Sequence, residues 1–212
     1  MDVVTAINRY KGVPISRHMI LDLLGKYRRP NDKISELVKA GVLTTLKKGL
    51  YALAPQPGVT QSEPFLVANH LWGPSYISME SALSYWGLIP ERVYEVSSMT
   101  SKNSKIYQND MGRFSYTHIG LPYYAFGIKR VDINTDQAVM LATPEKALCD
   151  KIVSTRGVLL RSVSQTLAFL SEDLRIDEDQ LADLNLDEIE SWLAYAPKRE
   201  SISMLLKTLR AL

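Results

Sequence analysis

The chain has 212 residues, of which 46% are hydrophobic and 23% charged, and this composition excludes an intrinsically disordered protein. The single cysteine, Cys149, excludes an intrachain disulfide and a cysteine-cluster metal site. The start, MDVVTAINRY, lacks the features of a signal peptide, and no apolar run approaches the ~20 residues of a transmembrane helix, so we expect a cytoplasmic protein without a membrane partner.

The formal net charge of +2 conceals an uneven distribution along the chain. Residues 1–57 contain ten Lys/Arg and four Asp/Glu, a net charge of +6, whereas the remaining residues carry a net charge of −4. Such asymmetry indicates a basic end that faces nucleic acid. The change coincides with the proline-rich segment APQPGVTQSEP, which predicts a semi-rigid linker over residues 55–64 between a domain at 1–54 and a second domain at 65–212.

Three short helical patterns open the basic end. The first spans Asp2 to Tyr10, and the second follows KGVP, with Gly25 as a stop signal. The third runs from RRPND to Ala40, with Pro30 in its first turn. Each pattern places its apolar residues on one face, as expected for helices that share a small core.

The segment VLTTLKKGLYAL follows at once and predicts a β-hairpin, because glycine at position 49 accepts the positive φ of a tight turn. Three helices and a hairpin in fewer than sixty residues form the winged helix-turn-helix arrangement. In it the third helix enters the major groove of DNA and the hairpin lies along the phosphates.

This arrangement predicts a set of DNA-contacting residues. Those on or beside the outward face of the third helix are Arg28, Arg29, Ser35 and Lys39, and those at the hairpin tip are Lys47 and Lys48.

Two carboxylates, Asp32 and Glu36, lie on the same helix face and repel phosphate. They can accept from cytosine amino groups, or they can belong to a solvated, salt-bridged helix side with Asp32 at the helix N-terminus. Lysines at a turn are also commonly just solvated. The alternative to DNA binding is a winged helix that contacts protein.

The rest of the chain mixes helical and strand patterns. FLVANHLW predicts a helix, and YISMESALSYWGLIPE predicts a short strand and then a helix that starts at Ser78 and stops at Gly87. ATPEKALCDKIV predicts a helix capped by Thr143, with Glu145 near the positive end of the helix dipole. Four segments show strand-like alternation: RVYEVSS, RFSYTHI, YYAFGIKRVDI and QAVMLA.

Three helical stretches close the chain, and the first and the last carry leucine-rich stripes that we expect to be core. The predicted fold class is therefore α+β, with an N-terminal winged helix-turn-helix followed by a mixed α/β second domain that ends in helices.

KKGLYAL, YISMESALSYWGLIPE and ATPEKALCDKI, in this order and spacing, resemble the AbiEi family of antitoxins and transcriptional regulators from type IV toxin–antitoxin (abortive infection) systems. The resemblance implies a winged helix that binds inverted repeats in its own promoter and represses the operon. It also implies a second domain that counteracts a nucleotidyltransferase-like toxin, without necessarily forming a stable complex. The residues of the two longer motifs would then have a structural role, because their pattern predicts caps, turns and core positions.

Signals for catalysis are weak. No lysine has Asp or Glu two residues before it, the common phosphate-binding glycine loops are absent, and the three histidines lie far apart. We expect Cys149 to be a buried, inert thiol, and we expect no enzyme activity, no catalytic residue, no metal and no cofactor. A Ser/His/Asp site assembled in space stays open.

The stretch from Ser171 to Glu190 has nine acidic residues against one arginine. We interpret it as a solvated face, and the alternatives are a surface for a basic partner or a segment that keeps the second domain off DNA.

Overall fold

The computed structural model describes residues 3–57, 60–91 and 93–212. Four predicted features therefore extend outside the described residues. These are the predicted first domain (residues 1 and 2), the predicted first helix (residue 2), the predicted linker (residues 58 and 59) and the pattern RVYEVSS (residue 92). Within the described ranges, the chain is a mixture of α-helices and β-strands arranged around two sheets.

The basic end folds as helices against a small antiparallel sheet. Its elements are α1 (Val3–Ile7), β1 (Ile15–Ser16), α2 (Arg17–Leu23), α3 (Pro30–Lys39), β2 (Leu43–Lys47) and β3 (Leu50–Leu53). The three helices and the hairpin are as predicted, with Pro30 in the first turn of α3 and Gly49 at φ +84° in the turn. Strand β1 was not predicted; it pairs with β3 and gives the strand order β1-β3-β2.

Both faces of the β2–β3 hairpin contribute buried residues to a hydrophobic cluster. The residues divide between the two clusters because successive side chains of a strand point to opposite faces. On one face, Leu43 and Leu53 pack with the helices of the basic end. On the other face, Leu46, Leu50 and Ala52 belong to the hydrophobic core of the rest of the chain. The two parts of the chain are therefore joined by packing as well as by covalent linkage.

The segment of the predicted linker is also fixed by hydrogen bonds. The buried side chain of Gln137 accepts from the backbone N–H of Glu63 at 2.8 Å and donates to the carbonyl oxygen of Gln61 at 2.7 Å. One amide side chain thus satisfies two backbone groups of a stretch that has no regular secondary structure.

A six-stranded mixed sheet forms the centre of the remaining chain, with the strand order β6-β7-β5-β4-β9-β8. The strands are β4 (Ser75–Ile77), β5 (Glu95–Thr100), β6 (Lys105–Asn109), β7 (Gly112–His118), β8 (Ile128–Asp132) and β9 (Ala138–Ala142). The pairs β5–β7 and β4–β9 are parallel, and the others are antiparallel.

Two strand expectations differ from the structure. Strand β6 was missed because its sequence, KIYQN, is polar, as befits an edge strand that faces solvent. The first part of YYAFGIKRVDI is not a strand: Tyr123–Ala125 forms a 3-10 turn that buries Tyr123, and the strand begins only at Ile128.

Helices pack on this sheet and close the chain. They are α4 (Pro64–Leu71), α5 (Met79–Tyr85), α6 (Pro144–Ser154), α7 (Val163–Ala168, continued by a π turn over Phe169–Asp173), α8 (Glu178–Ala182), α9 (Leu186–Trp192) and α10 (Arg199–Leu209). The stripe on α10 is core as predicted, since Ile202, Leu205, Leu206 and Leu209 are all buried. Among the described residues, no helix combines the length and apolar character needed to cross a membrane.

The caps of α5 and α6 differ in chemistry. The Thr143 hydroxyl accepts from the backbone N–H of Lys146 at 3.2 Å and caps α6 as predicted. Ser78 precedes α5 as predicted but makes no cap bond, and its hydroxyl donates to Asp150 at 2.7 Å. Glu145 is in the first turn of α6 but is buried, and its carboxylate accepts from the backbone N–H of Asn185 at 2.9 Å.

Candidate nucleic-acid interface

A groove of about 720 Å³ lies between the N-terminal ends of α2 and α3 and the turn of the β2–β3 hairpin. Pairing of β1 with β3 builds it, because the chain passes directly from β1 into α2 beside the hairpin turn. The backbone N–H of Arg17 donates to the carbonyl oxygen of Gly49 at 2.9 Å, and the Ser16 hydroxyl caps α2. The lining residues are Arg17, His18, Asn31, Ile34, Ser35, Lys48, Gly49 and Tyr51.

The groove is basic, and no carboxylate lines it. Arg17 donates from its guanidinium to the Asn31 side chain at 2.7 Å, which orients it toward the first turn of α3. His18 and Lys48 are exposed. An arginine, a lysine, a histidine and several hydroxyl and amide groups on one concave surface match the groups that proteins use to bind phosphate.

The predicted residues fall into two groups around α3. Ser35 and Lys48 lie in the groove. Arg28 and Arg29 are exposed just before α3, where they line a separate shallow surface, and Lys39 is exposed in the last turn.

The two carboxylates on α3 are both exposed. Glu36 accepts from Lys33 at 2.6 Å, which fits the interpretation of a salt-bridged helix side. Asp32 lies 4.0 Å from the guanidinium of Arg29, and both side chains are largely solvated, so this contact contributes little.

Lys47 does not share the groove with Lys48. Its ammonium group donates to the backbone carbonyl oxygen of Leu71 in α4 and lies 5.7 Å from the ring centroid of Tyr107 in β6. Burial lowers the pKa of Lys47, and the nearby charges of Lys105 and Lys102 lower it further. The structure therefore directs two neighbouring lysines of one hairpin tip to opposite sides.

Sequence reasoning missed Arg17 and His18. The local signal was small: two basic residues directly after a serine that starts a helix. Their place beside Lys48 depends on the pairing of Ile15 with Tyr51, a contact that local patterning does not predict.

A buried ion pair lies within α6, and hydrogen bonds of its two side chains link the helix to the sheet. The Lys146 ammonium lies 2.9 Å from Asp150 Oδ1, and both side chains have no exposed surface. Asp150 Oδ2 accepts from the hydroxyls of Tyr76 at 2.9 Å and Ser78 at 2.7 Å, and Lys146 donates to the carbonyl oxygen of Tyr123 at 3.1 Å. Burial lowers the pKa of Lys146, and Asp150 opposes that effect. Because neither side chain has exposed surface, the pair is not accessible to a ligand in solvent, and its role is structural.

Cys149 lies beside this pair and is fully buried. Burial, aided by the charge of Asp150, raises the pKa of its thiol to about 12. The burial is as predicted, and since the thiolate is the reactive form of cysteine, the raised pKa disfavours reaction of this thiol. Within the described part of the chain, no group of three His, Cys, Asp or Glu side chains is placed to hold a metal ion.

A larger cavity, of about 840 Å³, lies between α5, α6 and the β5–β7 strands. Three of its carboxylates are paired: Glu80 with Lys151, Glu91 with Arg175 at 3.2 Å, and Glu95 with Arg113 at 2.5 Å. Most of the carboxylate charge that lines this cavity is therefore paired, and a fourth carboxylate, Asp173, also lines it.

Comparison with known proteins identifies a shared fold. No family model and no curated protein matches this chain. Among solved structures, the crystal structure of the Rv2827c protein from Mycobacterium tuberculosis is similar, with a TM-score of 0.65 and 17% sequence identity. The match covers 98% of this chain and 75% of that chain. At this identity, the similarity concerns the fold alone.

Proposed function

We propose that the basic end is a winged helix-turn-helix and that the protein binds duplex DNA through it. The element order of the basic end supports this assignment, since a third helix is followed by a hairpin in a three-stranded antiparallel sheet. In this assignment α3 is the recognition helix and the β2–β3 hairpin is the wing. The observation that carries the proposal is the carboxylate-free basic groove between them.

The proposed contacts divide by chemistry. Arg17 and Lys48 contact phosphates from the two sides of the groove, and Ser35, whose hydroxyl donates to the Asn31 carbonyl oxygen at 3.2 Å, lies in the groove with them. Arg28 and Arg29, at the start of α3, are the candidates for guanine recognition, and Lys39 contacts the backbone at the far end of the helix. Lys47 lies outside this groove, because its ammonium group contacts the carbonyl oxygen of Leu71 and the ring of Tyr107.

The double variant Arg17→Ala/Lys48→Ala should bind DNA more weakly, and equally so on specific and random duplexes. Removal of one phosphate-binding cation should reduce the salt slope of log affinity by ~0.9, and removal of both should reduce it by up to ~1.8. Loss of a guanine-reading arginine, in Arg28→Ala or Arg29→Ala, should instead cost roughly 1–3 kcal/mol on specific DNA and far less on random duplex. The measurement is fluorescence anisotropy over a salt series with DNA from upstream of the gene.

Lys129→Ala/Lys207→Ala is the matched control. Both lysines are exposed and lie outside the groove, and their replacement removes the same amount of charge. A folded Arg17→Ala/Lys48→Ala protein with the salt slope of this control would contradict the assignment of the groove.

The exposed carboxylates of Asp32 and Glu36 favour the second candidate, a winged helix that contacts protein. That candidate predicts no DNA binding by the wild-type protein beyond that of an unrelated protein of equal charge.

The proposed biological role rests on the resemblance to the AbiEi family: repression of its own operon and neutralisation of a nucleotidyltransferase-like toxin by the second part of the chain. We expect inverted repeats upstream of the gene and a toxin gene beside it. The Arg17→Ala/Lys48→Ala variant should lose repression and still rescue growth when that toxin is expressed. Loss of rescue at normal protein levels would show that the two roles are not separable.

A further inference from the structure

Three lysines surround two aromatic rings where the wing meets the edge of the six-stranded sheet. The ammonium groups of Lys102 and Lys105 lie 5.2 and 4.5 Å from the ring centroid of Trp72. Lys105 also lies 4.9 Å from the ring centroid of Tyr107, and Lys47 reaches the same ring at 5.7 Å. We call these five residues the lysine–aromatic cluster.

The three lysines of this cluster carry their positive charge without a carboxylate partner among the described residues. Lys47 and Lys102 instead donate to backbone carbonyl oxygens, of Leu71 and Gly73. Cation–π attraction holds ammonium groups on the rings but leaves their charge in place.

The ammonium groups of the three lysines repel one another. Besides burial, the charges of Lys105 and Lys102 lower the pKa of Lys47. Lys102 and Lys105 are themselves exposed, so an anion in solvent can reach them. A bound anion would relieve the repulsion that the folded chain carries alone.

The cluster continues the proposed DNA interface across the wing. Lys48 lies in the groove on one side of the hairpin, and its neighbour Lys47 lies in the cluster on the other. Asn109 of β6 donates to the carbonyl oxygen of Leu46 at 3.0 Å, which fixes the edge strand against the wing. Two basic surfaces are thus joined at adjacent residues of one rigid element.

The chemistry favours phosphate over bases as the ligand. Ammonium groups already lie over the rings of Trp72 and Tyr107, and the indole N–H of Trp72 donates to the Asn103 carbonyl oxygen at 3.0 Å. These rings are therefore not free platforms for stacking a base. Exposed lysines act as point charges that suit the regularly spaced phosphates of a duplex, one charge per ≈ 1.7 Å of helix axis.

We propose that the lysine–aromatic cluster is a second contact for the DNA backbone, so that a duplex held in the groove runs over the wing and onto the edge of the six-stranded sheet. The contact is independent of sequence. It rests on the proposed function and extends it, because it assigns part of the DNA interface to residues outside the winged helix.

The test is the salt dependence of binding to a duplex of about 30 base pairs, for Lys102→Ala/Lys105→Ala against the control Lys129→Ala/Lys207→Ala. The cluster variant should flatten the slope of log affinity by up to ~1.8. The ratio of the wild-type affinity to the variant affinity should therefore fall about tenfold between 50 and 200 mM salt, on specific and random sequences alike. The charge-preserving variant Lys102→Arg/Lys105→Arg should keep the wild-type slope.

The possible failures are distinguishable. If the wild-type protein binds DNA and Arg17→Ala/Lys48→Ala flattens the slope, but Lys102→Ala/Lys105→Ala behaves like the control, the second contact is refuted and the proposed function stands. If the wild-type protein does not bind duplex DNA at all, both are refuted. Circular dichroism and thermal melts establish that each variant is folded.

Discussion

Replacement of Asp150 by alanine should lower the free energy of unfolding by about 3–5 kcal/mol, because it leaves the buried ammonium group of Lys146 without its counter-charge. The two side chains have no exposed surface and lie 2.9 Å apart, so water cannot substitute for the missing carboxylate. The hydroxyls of Tyr76 and Ser78 lose their acceptor in the same variant. Urea denaturation followed by circular dichroism measures the change.

The control is removal of the whole pair, in Lys146→Met/Asp150→Leu. It leaves no unpaired charge, so it should cost less than Asp150→Ala even though it changes one more side chain. If Asp150→Ala unfolds at the urea concentration of the wild type, or if the double variant is the less stable of the two, the ion pair does not have the role given to it here.

Replacement of Gly127 by alanine should cost about 2–4 kcal/mol, from two causes at one position. Gly127 has φ +60°, a conformation that costs a residue with a side chain roughly 1 kcal/mol or more. A Cβ atom there would lie 2.6 Å from Cβ of Lys146 and 3.1 Å from the ring of Trp192, and relief of such overpacking costs typically 1–3 kcal/mol.

Gly87→Ala separates the two causes. Gly87 also has a positive φ, +76°, but an added Cβ would have no neighbour within 4 Å. Its substitution should therefore cost only the backbone part, about 1 kcal/mol. Equal losses of stability in the two variants, measured in the same urea titration, would show that contact with Lys146 and Trp192 adds nothing.

Both predictions concern the place where the two longer motifs of the family resemblance meet. YISMESALSYWGLIPE contributes Tyr76 and Ser78, and ATPEKALCDKI contributes Lys146 and Asp150. A second ion pair, between Glu80 and Lys151, joins the same segments near the surface. The specific residues of these motifs thus hold α5, α6 and the sheet together, which is the scaffold role expected for them.

Several elements follow from local chemistry that the sequence displays. Thr143 and Pro144 start α6 because a hydroxyl cap and a fixed φ satisfy the first turn of a helix without help from elsewhere. Gly49 makes the turn of the β2–β3 hairpin because it adopts a positive φ at no steric cost. The leucine stripe on α10 is core because its spacing places one apolar face along the helix.

The tertiary structure alone decided the details of the site. Local signals act over about four residues, whereas the Asn109 side chain donates to Leu46 of the β2–β3 hairpin from 63 residues away and brings β6 beside it. Pairing of β1 with β3 carried Arg17 into the groove, and contact with Leu71 took Lys47 out of it. The sequence alone determined that the basic end is three helices and a hairpin with positive charge. Which of those charges face the groove depended on the strands and helices packed against the hairpin, because long-range packing fixes where each lysine can point.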